Sequence, residues 1–408
     1  MRFPAQTLLL LFSQLLLLLP SATIAAKCAC GYTTSKGAFF TDALETDFFH
    51  VRDLARDTDS AWIPQAYNVT PENANGPYGK ASQIENVITN PVRGGRDVWD
   101  GEGMNGGDPG LQLWTRSALI PSRDDDDHDD EHEGRGGDSK MMIPMSEIVS
   151  SRTDILYGSF RIALKPTNIN GTCGAFFFYF NDSTEIDMEF LSRQTSSFTS
   201  TSTNENRNNS SSSSSVNLVI QSPQSAKQGY ASGPDFILKS LPFDPTMGFN
   251  EFRFDWFPSH VEFFANSVLL QRMEANVPRG QPGALHVSHW SNGNEGWSGG
   301  PPERDAVLMV GYVKAYFNSS SGEEGWRERC EKADEGEREV CKVEDQVVPP
   351  DPGAGNGETV FLTEQGGSGS GGGGEEPKEG GAGGKSFPEA WWKAFVLSVV
   401  VLLLDVAV

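Results

Sequence analysis

The sequence has no basic stripe and little from which to build one: 32 Lys and Arg stand against 55 Asp and Glu, for a net charge of −23. That sets nucleic acid aside as a partner, because a polyanion is met by clustered cations. No long amphipathic stretch at the helical period appears, which argues against a helical bundle. No internal repeat appears either, so a repeat architecture is not expected. Cysteine is scarce, with five residues: Cys28, Cys30, Cys173, Cys330 and Cys341. What is abundant is 44 Gly, 24 Pro, 25 Phe, 9 Trp and 8 Tyr, which suits a loop-rich all-β protein with a sizeable core. An acidic chain rich in aromatics is compatible with neutral ligands such as sugars.

The two ends read as addresses. Arg2, the run "LLLLFSQLLLLLP" and the small residues "SATIAA" up to Ala26 make a secretory signal peptide; the run is short, and Pro20 ends it. In an oxidising compartment most cysteines pair. Sequence proximity predicts Cys330 with Cys341, and one of Cys28 and Cys30 with Cys173. Sequons at Asn68, Asn170, Asn181, Asn208, Asn209 and Asn318 agree with secretion. Residues 349–385 are mostly Gly, Ser, Glu and Pro and read as a flexible linker. The linker's end, "GGAGG" (380–384), a spacer and the short apolar tail of the terminal segment 386–408 together match a glycosylphosphatidylinositol attachment signal. A short transmembrane anchor is the alternative reading, and Asp405 runs against both.

Between the ends lies one domain, residues 27–348. Strands are expected at "GLQLWTRS" (110–117), "YGSFRIALKPT" (157–167), "GAFFFYF" (174–180), "SVNLVIQS" (215–222), "FNEFRFDW" (249–256), "HVEFF", "VLLQRM" and "AVLMVGYVKAYF" (306–317). So many short strands in one domain imply an all-β fold, a two-sheet sandwich of jelly-roll type. Two inserts interrupt the pattern. Residues 122–140 hold nine acids and two histidines, and 194–214 are mostly Ser, Thr and Asn. Both read as solvated loops rather than as a metal site or a functional segment.

The stretch "STEIDMEFLS" (183–192) is different in kind. Residues i, i+2 and i+4 of a strand share a face, so Glu185, Asp187 and Glu189 point one way and Ile186, Met188 and Phe190 the other. Three like charges packed together raise at least one pKa. One protonated and one ionised carboxyl group is what glycosidic-bond cleavage needs.

"EIDMEF" resembles the signature of glycoside hydrolase family 16. The likeness extends in the family's order through "YGSFRIALKPTNINGTCGAFFFYF", the segment 243–278, "HVSHWSNG" and "GYVKAYF", covering about residues 110–317. The resemblance implies a concanavalin A-like sandwich and a retaining reaction on cell-wall β-glucan. In it Glu185 is the nucleophile, Asp187 the assisting residue and Glu189 the acid/base. It implies sugar contacts from Phe177, Trp290, Ser288 and Trp297, and from Arg152 near the donor subsites. It implies no required cofactor and allows a structural calcium ion whose ligands the sequence does not name. Three departures mark the sugar-binding wall. Ser183 stands where lichenases have Trp, and Val219 and Gln221 stand where Asn and Tyr are expected, so mixed-linkage glucan specificity does not carry over. A transglycosylase joining glucan or chitin chains, and a sugar-binding module without catalysis, are the alternatives.

Overall fold

Wherever side chains alternate between a dry side and a polar one, the backbone is extended and one face goes into a core. The computed structural model describes residues 28–363 except 55, 57–60, 96, 123–139, 196–213, 336–337 and 357–361. The expected signal peptide, the anchor signal and the greater part of the linker and of both inserts lie outside the described residues. The chain divides into two units, 1–367 and 368–408, and the second is wholly outside them.

The strands of the main sheets are β1 (Asp42–Asp47), β2 (Tyr67–Val69), β3 (Gly79–Ser82), β4 (Val87–Asn90), β5 (Gly110–Thr115), β6 (Met141–Ser150), β7 (Ile155–Lys165), β8 (Cys173–Asn181), β9 (Thr184–Leu191), β10 (Ser215–Gln221), β11 (Phe236–Ser240), β12 (Asn250–Phe257), β13 (His260–Ala265), β14 (Val268–Met273), β15 (Ala284–Trp290) and β16 (Ala306–Ser319). One sheet runs β11-β10-β9-β8-β15-β6-β3-β2, and the other β14-β13-β12-β7-β16-β5-β4, with β1 on β16. Short strands Trp62–Pro64 and Ile120–Pro121 add to β6. The two sheets pack face to face as a β-sandwich of the jelly-roll type. Every strand expected from the sequence is present. β1 to β4, β6 and β11 were not anticipated as strands; "MMIPMSEIVS" of β6, for one, does not alternate cleanly.

The core lies between the sheets and is built from alternate residues of each strand. Phe176, Phe178, Ile186, Met188 and Phe190 of one sheet meet Phe252, Phe254 and Trp256 of the other, all with no more than 1% of their surface exposed. Ring pairs Phe176–Phe254, Phe178–Trp256 and Phe190–Phe252, at 5.3, 4.5 and 4.5 Å, join the sheets. Fully burying one such side chain is worth about 1.5–3 kcal/mol. This interdigitation fixes which side of β9 faces outward.

The disulfides differ from the expectation. Cys28 bonds Cys341 and Cys30 bonds Cys330, while Cys173 is a free, buried thiol. A short strand, Tyr32–Thr34, pairs in parallel with Cys341–Val343, Tyr32 opposite Cys341, and so carries the N-terminal cysteines to the C-terminal extension. Cys330 sits on α1 (Glu323–Lys332). Nearness in sequence misled because the sheet brings together cysteines separated by 313 and 300 positions. In the chain-entropy picture, closing the first of these loops is worth on the order of 5 kcal/mol. The extension also holds to the sandwich beyond residue 348. Asp351 accepts from the Phe249 amide, and Thr363 donates to Glu45.

Candidate active site

Glu185, Asp187 and Glu189 lie on the outer side of β9, as the alternation requires. Across the ladder to β8 they face Tyr179, Phe177 and Ala175; across the ladder to β10 they face Gln221, Val219 and Asn217. Beyond β8, the strand β15 sets Ala284, His286 and Ser288 opposite Tyr179, Phe177 and Ala175. Beyond β15, β6 sets Glu147 opposite Ser288. Five adjacent strands thus contribute to one polar face.

The three carboxyls are unequal. Asp187 is 5% exposed, and its Oδ2 has no hydrogen-bond partner. Burial, with Glu185 and Glu189 on either side, pushes it well above the usual carboxylate range. Glu185 is also raised by burial, but a hydrogen bond with Asp187 and the positive fields of His286 and Lys80 oppose that. Of the pair, Asp187 is the more strongly raised and so the readier to hold a proton. Glu189 is pushed up to about 7, by burial first and Glu185 second, with Asn217, Lys80 and the Cys173 thiol opposing. Its Oε1 lies 3.9 Å from Cys173 Sγ. The arrangement can hold one ionised and one protonated glutamate near neutral pH.

Most of the expected sugar-contact residues reach this face. Phe177 is half-buried, outside the core, and stacks on His286 with centroids 4.9 Å apart and planes 21° apart. Ser288 is buried between Ala175 and Glu147. Trp290 ends β15 opposite Cys173, and the Lys80 ammonium sits 4.5 Å from its ring centroid. Trp297 lies 6.5 Å from Phe236, which pairs with Val219, so the two rings stand on the β10–β11 side. Arg152 does not join the face. Its guanidinium pairs with Asp154 at 2.7 Å and Asp42 at 3.5 Å and covers the Phe317 ring, because Asp154 two residues on captures it. Ser183 donates both its amide and its hydroxyl to Asn181 in the β8–β9 turn, which leaves Asn181 exposed.

Four further residues were not singled out from the sequence. Glu147 accepts from Tyr67 and bonds His286 Nδ1 at 2.8 Å. Asn217 is buried against Glu189. His286 and Lys80 complete the set. A lone Glu in the apolar run of β6 was the signal available for Glu147; Lys80 in "YGKAS" offers none. Among the described residues, no group of three or more His, Cys, Asp or Glu side chains is placed to hold a metal ion.

Residues 125–306 match the family model for glycosyl hydrolases family 16. β-glucanases from Paenibacillus macerans and Paenibacillus polymyxa are 27% and 26% identical over 149 residues, 35% of this chain and 52% of theirs. The chain spans about half the length of the curated relatives it matches. The structure of a Bacillus licheniformis β-glucanase is similar with a TM-score of 0.43 and 16% identity, covering 67% of this chain and 97% of that one. By family model and curated relatives, residues 125–306 of this chain resemble the glycosyl hydrolases of family 16.

Proposed function

We propose that the domain cleaves cell-wall β-glucan with retention of anomeric configuration, through a covalent glycosyl-enzyme on Glu185. The observation that carries this reading is the placement of Glu185, Asp187 and Glu189 on the outer face of one strand, with Asp187 buried between the two glutamates and Glu189 pushed up to about 7. Glu189 gives its proton to the glycosidic oxygen while the Glu185 carboxylate attacks the anomeric carbon and the leaving chain departs. Glu189, now ionised, takes a proton from water or from an acceptor sugar hydroxyl as that oxygen displaces Glu185. Asp187 donates to Glu185 when it is ionised and steadies the charge. Phe177, Trp290 and Trp297 offer aromatic faces to sugar C–H groups. A retaining enzyme needs its carboxyls about 5–5.5 Å apart, so this reading requires the two long Glu side chains to converge across Asp187 from Cα atoms about 13 Å apart along the strand.

The test is azide rescue of Glu185→Gln and Glu189→Gln, with laminarin and lichenan for wild type and an activated aryl β-glucoside for the variants. The Glu185 variant should lose several orders of magnitude and yield the inverted azide product. The Glu189 variant should lose ~10²–10⁴-fold on natural glucan and yield the retained product. Near wild-type activity in Glu185→Gln removes the reading and leaves a sugar-binding module in front. Product sizing in the presence of glucan or chitin oligosaccharides separates hydrolysis from chain transfer.

The chain is further read as secreted and surface-anchored; two disulfides among the described residues support an oxidising compartment. Treatment of cells with a phosphatidylinositol-specific phospholipase should release the protein. Retention in the membrane fraction would favour a transmembrane tail.

A further inference from the structure

Lys80 is a cation that, among the described residues, has an aromatic ring and no ion-pair partner, on a sheet face crowded with carboxylates. It lies on β3, opposite Ile143 of β6, and its half-buried side chain projects onto the carboxylate face. Its Nζ stands 4.5 Å from the Trp290 centroid. Among the described residues, no hydrogen bond or ion pair engages that nitrogen. The ammonium is therefore held by the ring and by the field around it. A lysine left so dry loses hydration that the Trp290 face returns only in part. Something else on this face must repay its burial.

The titratable groups on the same sheet face, of which Glu147, Cys173, Glu185 and Glu189 act on Lys80, supply the reason. β6 contributes Glu147; β9 contributes Glu185, Asp187 and Glu189; β8 contributes Cys173 and Tyr179; β15 contributes His286; and β2 contributes Tyr67. Four of these are carboxyls, and His286 already bonds Glu147. We infer that Lys80 is a positioning residue for the two-glutamate reaction, the fixed counter-charge that lets Glu185 stay ionised beside Asp187 and Glu189. Burial lowers the pKa of Lys80, while Glu147, Cys173, Glu185 and Glu189 pull it back up; the same pairwise attraction lowers Glu185 and Glu189. Seated over Trp290, Lys80 also occupies the ring face on which a sugar would stack. Substrate must then either displace the ammonium or accept a hydrogen bond from it.

The inference rests on the retaining reading of Glu185 and Glu189, and its test separates the two. The pH profile of kcat/KM on laminarin is measured for wild type, Lys80→Met and Lys80→Arg. Without the ammonium both glutamates hold protons more tightly, so both limbs of the bell should move to higher pH, by about one unit. Activity on the acid limb should fall about tenfold. Lys80→Arg, which keeps the charge, should leave the bell in place. A role confined to packing on Trp290 would lower activity at every pH without moving either limb. If Lys80→Met does not fold, Lys80→Gln is read in the same way. A Lys80→Met bell that superimposes on wild type overturns the inference, while azide rescue of Glu185→Gln leaves the parent reading standing. Failure of that rescue removes both.

Discussion

The outer faces of the two sheets both carry buried charge, and they treat it in opposite ways. On the carboxylate sheet, like charges are strung along one strand, and each pushes its neighbours toward the neutral form. On the opposing sheet, Arg253, Arg161 and Lys314 stand in a row across β12, β7 and β16, with Glu45 of β1 next to Lys314. That row also begins as like charges, but it is answered. Lys314 pairs with Glu251 at 2.9 Å, and Arg253 pairs with Asp255 at 3.3 Å and with Asp345 of the C-terminal extension at 2.8 Å. Arg161 donates to the Glu344 carbonyl at 2.9 Å. The extension, tied down by two disulfides, adds the Asp345 carboxylate for Arg253 and the Glu344 carbonyl for Arg161 to what the sheet supplies. Charge that a fold neutralises serves cohesion; charge that it leaves in conflict costs stability and is kept for chemistry.

This contrast can be broken most forcefully on the cohesive side. Glu251→Gln removes the carboxylate 2.9 Å from the buried Lys314 ammonium, and removing one partner of a buried pair costs about 3–5 kcal/mol. Denaturant unfolding should show that loss, while activity per folded molecule stays within about twofold. A smaller loss in stability would mean that Tyr312 or Glu45 already balances Lys314.

On the carboxylate side the sign reverses. Glu189 has its folded-state pKa raised from 4.5 to about 7. Its contribution to stability is fully present below about pH 4.5 and is lost as pH rises through 7, because the unfolded chain ionises first. Glu189→Gln has no such loss. At pH 8 it should be more stable than wild type by up to about 3 kcal/mol, and the gap should close below pH 4.5. Melting curves at the two pH values decide the matter, and a variant less stable at both would show that the carboxyl is net favourable.

The smallest expected effect falls on the proposed sugar contacts, where no charge is involved. Trp297→Ala removes one stacking face beside Phe236 but leaves the backbone carbonyl that Arg193 contacts. KM for glucan should rise several-fold, consistent with ~1 kcal/mol for an aromatic contact, with kcat nearly unchanged. A fall in kcat instead would bring Trp297 into the reacting centre.

Much of this could be read from residue order alone. The period-2 pattern of β7, β8, β9, β10, β12 and β16 set the strands, the core-facing residues and the shared face of Glu185, Asp187 and Glu189, because a strand leaves a side chain two choices of face. Other features were closed to that reasoning. Nothing near Cys28 or Cys30 points to Cys341 or Cys330, since the pairing is made by a parallel strand contact across the whole chain. Arg152 looked available until the fold set Asp154 and Asp42 against it. Lys80, Glu147, Asn217 and His286 come from four strands other than β9, and only the order β10-β9-β8-β15-β6-β3 assembles them around it. Side-chain alternation is a local property of the backbone and is written in the sequence. Which charges meet, and which of them go unanswered, depends on strand order and register, and those are settled only when the sheets pack.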